Sequence, residues 1–482
     1  MERSFILIPE KLEWRCVNQA SFKVPTHSKE YWFSMDDSMV YTAFFADFGP
    51  LDIGKMYTFC RTLDHHLREA EGSRKVVYYC SNHEHVAANT AILILAYQIF
   101  VRNLRLEEAY APFHGMHPPF VTFRDAAFCL NTFPLTVLDC GLALQRVADM
   151  SHFTMASFDL AKFEHLSKLE YGDVSWIIPG KFVAFSGPLA KKRQLRDGVY
   201  TMAPAEYATL FKKLGITCVI RFNNKCYDKA VFTSVGIHHA DLFYEDGGNP
   251  TQAIMQRFIE ICEREKGAIA VHCKAGLGRT GTNIGAYMMK HYNYSAREAT
   301  AWCRICRPGS VVGPQQQFLC TVEDQLMREG NAYRQSRGLS LFWQGSITSK
   351  NISDITPGPG KTLPSSRSST LGSSATRTGG GLSRNSSSGA SLSRRTGSVA
   401  KASTTTSASL SSTSSSSSRR PHTSSSTSSR SNKSDLQAIA HGGKRGGDAS
   451  EARFRSSSHT EDQTNNLFAR PLTKGSSQRA GR

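Results

Sequence analysis

Two stretches of the chain repeat one pattern. An apolar run too short and continuous for a helix is followed, after a gap of a few residues, by a longer helix-like run. Val76-Val-Tyr-Tyr-Cys80 precedes Ala87 to Val101, and Ala268-Ile-Ala-Val leads through Cys273 to Thr280–His291. A short unbroken apolar run reads as a strand buried on both faces, and the longer runs read as helices. Aligned, Cys80 falls under Cys273 and Val86 under Arg279, with five residues between each pair. Upstream, Asp47-Phe-Gly-Pro falls loosely under Asp246-Gly-Gly-Asn-Pro. A duplicated strand–loop–helix fold is expected, its first copy lacking the Arg and the glycines.

Further elements follow the same logic. Trp176 to Ser186 reads as a strand ending at Gly187-Pro188. Pro204 opens a helix that Gly215 closes. Residues 216–221 and 237–243 read as strands, and Thr251 caps an amphipathic helix through Lys266. Helices start at Ser295 and at Pro314, and Ser157 is the expected cap of a connector helix from Phe158. Alternating strands and helices predict an α/β fold. It comprises two tandem domains, each a central, mostly parallel sheet flanked by helices. The expected divisions are 1–155, a non-catalytic copy; 156–175, a linker helix; 176–345, the catalytic copy; and 346–482, a disordered tail.

Composition changes the picture at the C-terminal end. The formal charge is +18, but residues 351–482 hold 19 basic and 6 acidic residues and so carry +13 of it. The tail is rich in Ser, Thr, Gly and Arg, and such a segment cannot bury enough apolar surface to offset its ordering entropy. Ser387, Ser398, Thr423 and Ser456 each lie three residues after an Arg, a pattern that basophilic kinases read. The remaining +5 argues against direct nucleic-acid binding by the core. All 12 Cys lie between Cys16 and Cys320 without paired zinc spacing, as expected of reduced thiols in an intracellular protein. The N-terminal apolar run is too short for a signal peptide, and Ala91 to Val101 is too short to span a bilayer, so no membrane insertion is expected.

The chemistry concentrates in His272-Cys-Lys-Ala-Gly-Leu-Gly-Arg-Thr280. A glycine-rich turn from a strand into a helix is a phosphate cradle, because its backbone N–H groups and the helix N-terminus favour an anion. Lys274, Ala275, Gly276, Leu277, Gly278 and Arg279 form that cradle. The donors that hold phosphate also stabilise a thiolate, which makes Cys273 a candidate nucleophile. Arg279 offers a planar fork to two phosphoryl oxygens. Thr280 can donate to the departing thiolate, and His272 orients the loop. No metal or other cofactor is called for, since Arg279 and the backbone supply the charge. Expelling an alkoxide requires a proton donor on a loop facing the cradle. Asp246, 27 residues before Cys273 and followed by two glycines, competes for that role with Asp241 and Glu245.

The runs DLFYEDGGNP, GAIAVHCKAGLGRTG, MKHY, ICRPGSVVGPQQQF, FADFGP and YGDVSWI together resemble the cell-division-cycle-fourteen family of dual-specificity protein phosphatases. The resemblance covers about residues 1–345. It implies two phosphatase-like domains with only the second catalytic. Cys273 would be the nucleophile, Arg279 the phosphoryl ligand and Asp246 the general acid. It implies hydrolysis of phosphoserine, phosphothreonine and phosphotyrosine in proteins, reversing proline-directed kinase action in cell-cycle control. Expected partners are phosphoproteins with phosphoserine-Pro motifs and a downstream basic residue. Expected locations are the nucleus, nucleolus and cytoplasm, and the spindle or centrosome. The basic residue would be read by an acidic groove to which Glu170 and Asp173 match; Ser167 stands where the family is usually acidic. A phosphoinositide phosphatase is disfavoured by Leu277, an RNA 5′-phosphatase by the absence of a basic patch beside the loop, and a non-catalytic scaffold by the intact Cys273, Arg279 and Asp246.

Overall fold

The computed structural model describes residues 2–26, 29–70 and 73–341. The tail and its four phosphorylation candidates lie outside the described residues. The first half contains β1 (Arg3–Ile8), β2 (Leu12–Val17), β3 (Glu30–Phe33), α1 (Ile53–Glu69), β4 (Lys75–Ser81), α2 (Glu84–Phe100), α3 (Leu106–Tyr110) and α4 (Val137–Asp149). Its sheet runs β1-β2-β4-β3, with the first pair antiparallel and the others parallel. After α5 (Leu160–Leu166) come β5 (Val174–Ile178), β6 (Phe182–Phe185), β7 (Gln194–Arg196), β8 (Val199–Tyr200), α6 (Pro204–Lys213), β9 (Ile216–Arg221), α7 (Ala230–Thr233) and β10 (His238–Asp241). Then follow α8 (Gln252–Arg264), β11 (Ala268–His272), α9 (Gly278–Tyr292), α10 (Ala296–Cys306) and α11 (Gln315–Ser336).

The second sheet runs β10-β9-β11-β6-β5. It repeats the first: an antiparallel hairpin, then parallel strands, with the Cys-bearing strand in the interior. β4 matches β11, and α2 matches α9. The acid-bearing loops match too: Asp47 lies five residues before Asp52, the cap of α1, and Asp246 five before Thr251, the cap of α8. Every residue of β11 is buried, as its apolar run predicts. Helix α9 is buried along most of its length because α10 and α11 cover it. Helix α4 of the first half packs on α10 of the second. Arg297 reaches Asp139 at 2.9 Å, Arg146 reaches Glu298 at 3.6 Å, and His152 meets the Tyr294 hydroxyl at 2.9 Å across the same contact.

Two expectations need correction. The strand from Trp176 to Ser186 is a hairpin, because the turn at Pro179-Gly180 folds β6 back on β5; Gly180 has φ +72°. The connector helix is capped by Asp159, whose carboxylate accepts the Lys162 N–H at 2.9 Å, while the Ser157 hydroxyl is engaged with Thr154. Asp outranks or equals Ser as a cap, and both were available. No helix among the described residues is long and apolar enough to cross a membrane.

Candidate active site

The loop from Cys273 to Gly278 leaves the C-terminal end of β11, where open α/β sheets bind ligands. Its carbonyls are held from outside, one by one. The Cys273 carbonyl lies 3.0 Å from His272 Nδ1. The Lys274 carbonyl accepts the Gly187 N–H at 3.0 Å. Arg307 donates to the Ala275 carbonyl at 3.0 Å and to the Gly276 carbonyl at 2.9 Å. In a trans peptide the C=O and the following N–H point opposite ways. Fixing four carbonyls outward therefore turns the N–H groups of residues 274–277 inward, and these have no acceptor among the described residues. Gly276 is required on two counts: its φ is +69°, and a Cβ there would lie 2.0 Å from the Phe185 carbonyl oxygen. A Cβ at Gly187 would lie 2.3 Å from the Cys273 carbonyl oxygen.

Arg279 is 3% exposed and tethered by one nitrogen: Nη1 donates to the carbonyls of Tyr244 at 2.8 Å and Phe222 at 3.3 Å. Its Nε is buried without a partner, and Nη2 lies 2.9 Å from Asp246 Oδ1. One edge of the guanidinium thus faces the cradle. Asp246 itself is exposed, on the turn whose Gly247 has φ +74°. Gln315, at the start of α11, donates to the Gly248 carbonyl at 3.0 Å and so ties this turn to the cradle's outer wall. Of its two rivals, Asp241 pairs with Arg221 at 2.6 Å, and Glu245 is exposed, as Asp246 is, but has no ion pair with Arg279 among the described residues. Thr280 is buried, and its hydroxyl has no partner.

The groove assignment fails at Asp173. That residue is 2% exposed, and its carboxylate takes a two-pronged bond from Arg307, at 3.0 Å through Nη1 and 2.6 Å through Nη2. Burying an Arg beside the cradle demands a buried anion, and Asp173 is that anion. It anchors the phosphate loop from behind and cannot also line a solvent-facing groove. Glu170 is half-buried, 3.8 Å from Arg196. Ser167 contributes no charge; its hydroxyl donates to the Glu164 carbonyl. The expectation of no basic patch also needs amending. The β7–β8 hairpin exposes Lys191, Lys192, Arg193 and Arg196 a few residues after Gly187, although Lys192 pairs with Glu206 and Arg196 approaches Glu170.

The first copy has no open cradle. Ser81, just after Cys80, donates its N–H to the Asp36 carboxylate at 2.7 Å, so the chain's own carboxylate occupies the donor. Asp47 is likewise engaged, accepting from the Tyr41 hydroxyl at 2.6 Å and from the N–H groups of Phe44 and Phe45. Contact with Cys16 and burial push the Cys80 thiol well above its ordinary range, away from the thiolate form that a nucleophile needs.

Nothing in the sequence assigns Arg307 its role, because a positive charge after a helix carries no sign of its partner. Tyr227 carries no local signal either. The repeated sheet and the single intact Cys-x5-Arg loop define a tandem dual-specificity-phosphatase fold. Residues 6–147 match the family described as dual specificity protein phosphatase, N-terminal half, and residues 199–325 match dual specificity phosphatase, catalytic domain. The chain is 44% identical over 320 residues to the dual specificity protein phosphatase CDC14A of Mus musculus, covering 66% of this chain and 53% of that one. It is 42% identical over 329 residues to mouse CDC14B, covering 68% of each. It is 42% identical over 309 residues to CDC14C of Homo sapiens, covering 64% of this chain and 69% of that one. The chain belongs to the CDC14 family of dual-specificity phosphatases. It spans about half the length of the CDC14A relatives.

Proposed function

We propose that the chain is a protein phosphatase acting through a cysteinyl-phosphate intermediate. The observation that carries this reading is the set of inward N–H groups at residues 274–277 above Cys273, beside the half-partnered Arg279. In the first step Cys273 Sγ attacks phosphorus while the bond to the substrate oxygen breaks. Asp246 supplies that oxygen with its proton. Arg279 binds two equatorial oxygens through Nε and Nη2, so the incoming phosphoryl group displaces Asp246 from Nη2. In the second step Asp246 takes a proton from water, which attacks phosphorus, releases inorganic phosphate and restores the thiolate. Backbone donors and Arg279 neutralise the charge on the transferring group.

Substrates are phosphoproteins, and membership of this family favours phosphoserine-Pro sites and a role in cell-cycle control. A downstream basic residue has only Glu170 of the two matched acids to meet it, and Arg196 competes there. Selection for such a residue is therefore weak in this chain. Cys273→Ser should abolish turnover of a phosphoserine-Pro peptide and of an aryl phosphate while keeping phosphopeptide affinity. Turnover by the purified variant would end the thiolate mechanism.

A further inference from the structure

Behind the phosphate loop runs a buried chain of polar groups that the proposed chemistry does not use. His239 Nε2 lies 2.9 Å from the Tyr227 hydroxyl, and that hydroxyl lies 2.7 Å from His272 Nε2. His272 Nδ1 then meets the Cys273 carbonyl at 3.0 Å. The four residues come from β10, the loop after β9, and β11 with the residue that follows it. Tyr227 and His272 are essentially buried, and so is the His239 side chain.

The direction of the chain follows from its last link. A carbonyl can only accept, so His272 Nδ1 carries the proton. Burial lowers the His272 imidazole to about 3, so the ring is neutral and Nε2 is bare. The Tyr227 hydroxyl must therefore donate to Nε2, and its oxygen must accept from His239 Nε2–H. His239, lowered to about 4 by burial, is neutral as well. Its Nδ1 is bare and without a hydrogen-bond partner, 3.9 Å from Asp241 Oδ1. Arg221 and Lys229 also face it, and their charge opposes its protonation. Arg221 further fixes the chain by donating to the Tyr227 carbonyl at 2.9 Å and to Asp241 at 2.6 Å. Every link runs one way, toward the Cys273 carbonyl.

We propose that Tyr227 and His239 are positioning residues, which hold His272 in the Nδ1–H tautomer and so keep the Cys273–Lys274 peptide turned with its N–H toward the thiolate and the phosphoryl group. The opposite tautomer would set a nitrogen lone pair against the Cys273 carbonyl oxygen, and the peptide would rotate to escape it. That rotation removes a cradle donor without touching Cys273 itself. The proposal rests on the reading of Cys273 as nucleophile.

The test is the rate at which iodoacetate alkylates Cys273 in the full chain, followed across pH, because the thiolate is the form that reacts. It is read beside kcat and KM for an aryl phosphate. Tyr227→Phe keeps the ring and removes the donor. His239→Leu removes the outer donor, and His239→Gln restores an N–H that can reach Tyr227. Tyr227→Phe and His239→Leu should each slow alkylation and lower kcat roughly tenfold, the worth of about one hydrogen bond to a charged group. His239→Gln should return most of both. Slow, unselective alkylation of the wild-type enzyme would undo the nucleophile reading itself. Rapid wild-type alkylation matched by folded Tyr227→Phe and His239→Leu would overturn the relay alone. Failure of Gln to rescue would reduce His239 to packing.

Discussion

Asp173→Asn separates a structural carboxylate from a substrate-binding one. The replacement keeps size and shape. Asn tolerates the left-handed backbone at this position, where φ is +50°. It removes a charge from a pair in which the Arg307 side chain is 0% exposed and its partner 3%. The amide also turns two N–H donors toward a guanidinium that has only donors. Breaking a buried pair by losing one partner costs about 3–5 kcal/mol, because the remaining charge stays buried and unpaired. In a fold of this size that lowers the melting temperature by roughly 6–20 °C. Arg307 also carries the Ala275 and Gly276 carbonyls, so aryl phosphate turnover should fall even well below the melting point. Thermal unfolding and aryl phosphate kinetics on the same preparation check both consequences. Unchanged melting with altered discrimination between peptides bearing Lys or Ala downstream of the phosphoserine would refute the anchor and return Asp173 to a groove.

Asp246→Asn should cost little on a substrate whose leaving group needs no proton and about 10²–10⁴-fold on phosphoserine. Equal losses on the two, measured as kcat/KM, would leave Asp246 only its contact with Arg279. Glu298 provides a pH test. Burial raises its carboxyl from the ordinary 4.5 to about 7, despite Arg146 nearby. The folded state then binds more protons than the unfolded state between those values. Its stabilising contribution is complete below about pH 4.5 and fades as pH rises through about 7, an effect of about 3 kcal/mol. Glu298→Gln keeps the acceptor for the Ser295 N–H, and it should flatten the fall in melting temperature across that window.

The parts legible in the sequence are those where one residue's chemistry depends on its neighbours along the chain. The buried run through β11, the glycine turn, the Thr251 cap and the helix from Pro204 are all local, and each is where the pattern puts it. The duplication was legible because the spacing survived after the Arg and glycines had gone. What could not be read was pairing over long separations. Asp173 and Arg307 are 134 positions apart, so an acid one turn from Glu170 looked like its companion on a surface. The relay joins Tyr227 to His272 across 45 positions, and nothing near either residue announces the other. The basic hairpin escapes a local reading for the same reason: parallel pairing of β6 with β11 brings its root to the loop.

The carboxylate of Asp36 has a consequence for how the molecule counts anions. A ligand tethered within the same chain competes at an effective concentration that a freely diffusing one rarely matches. The donor after Cys80 is therefore already taken, and a free phosphate would have to displace a neighbour that the fold holds in place. Of the two repeated turns, only the one after Cys273 keeps its N–H groups open to such an anion among the described residues.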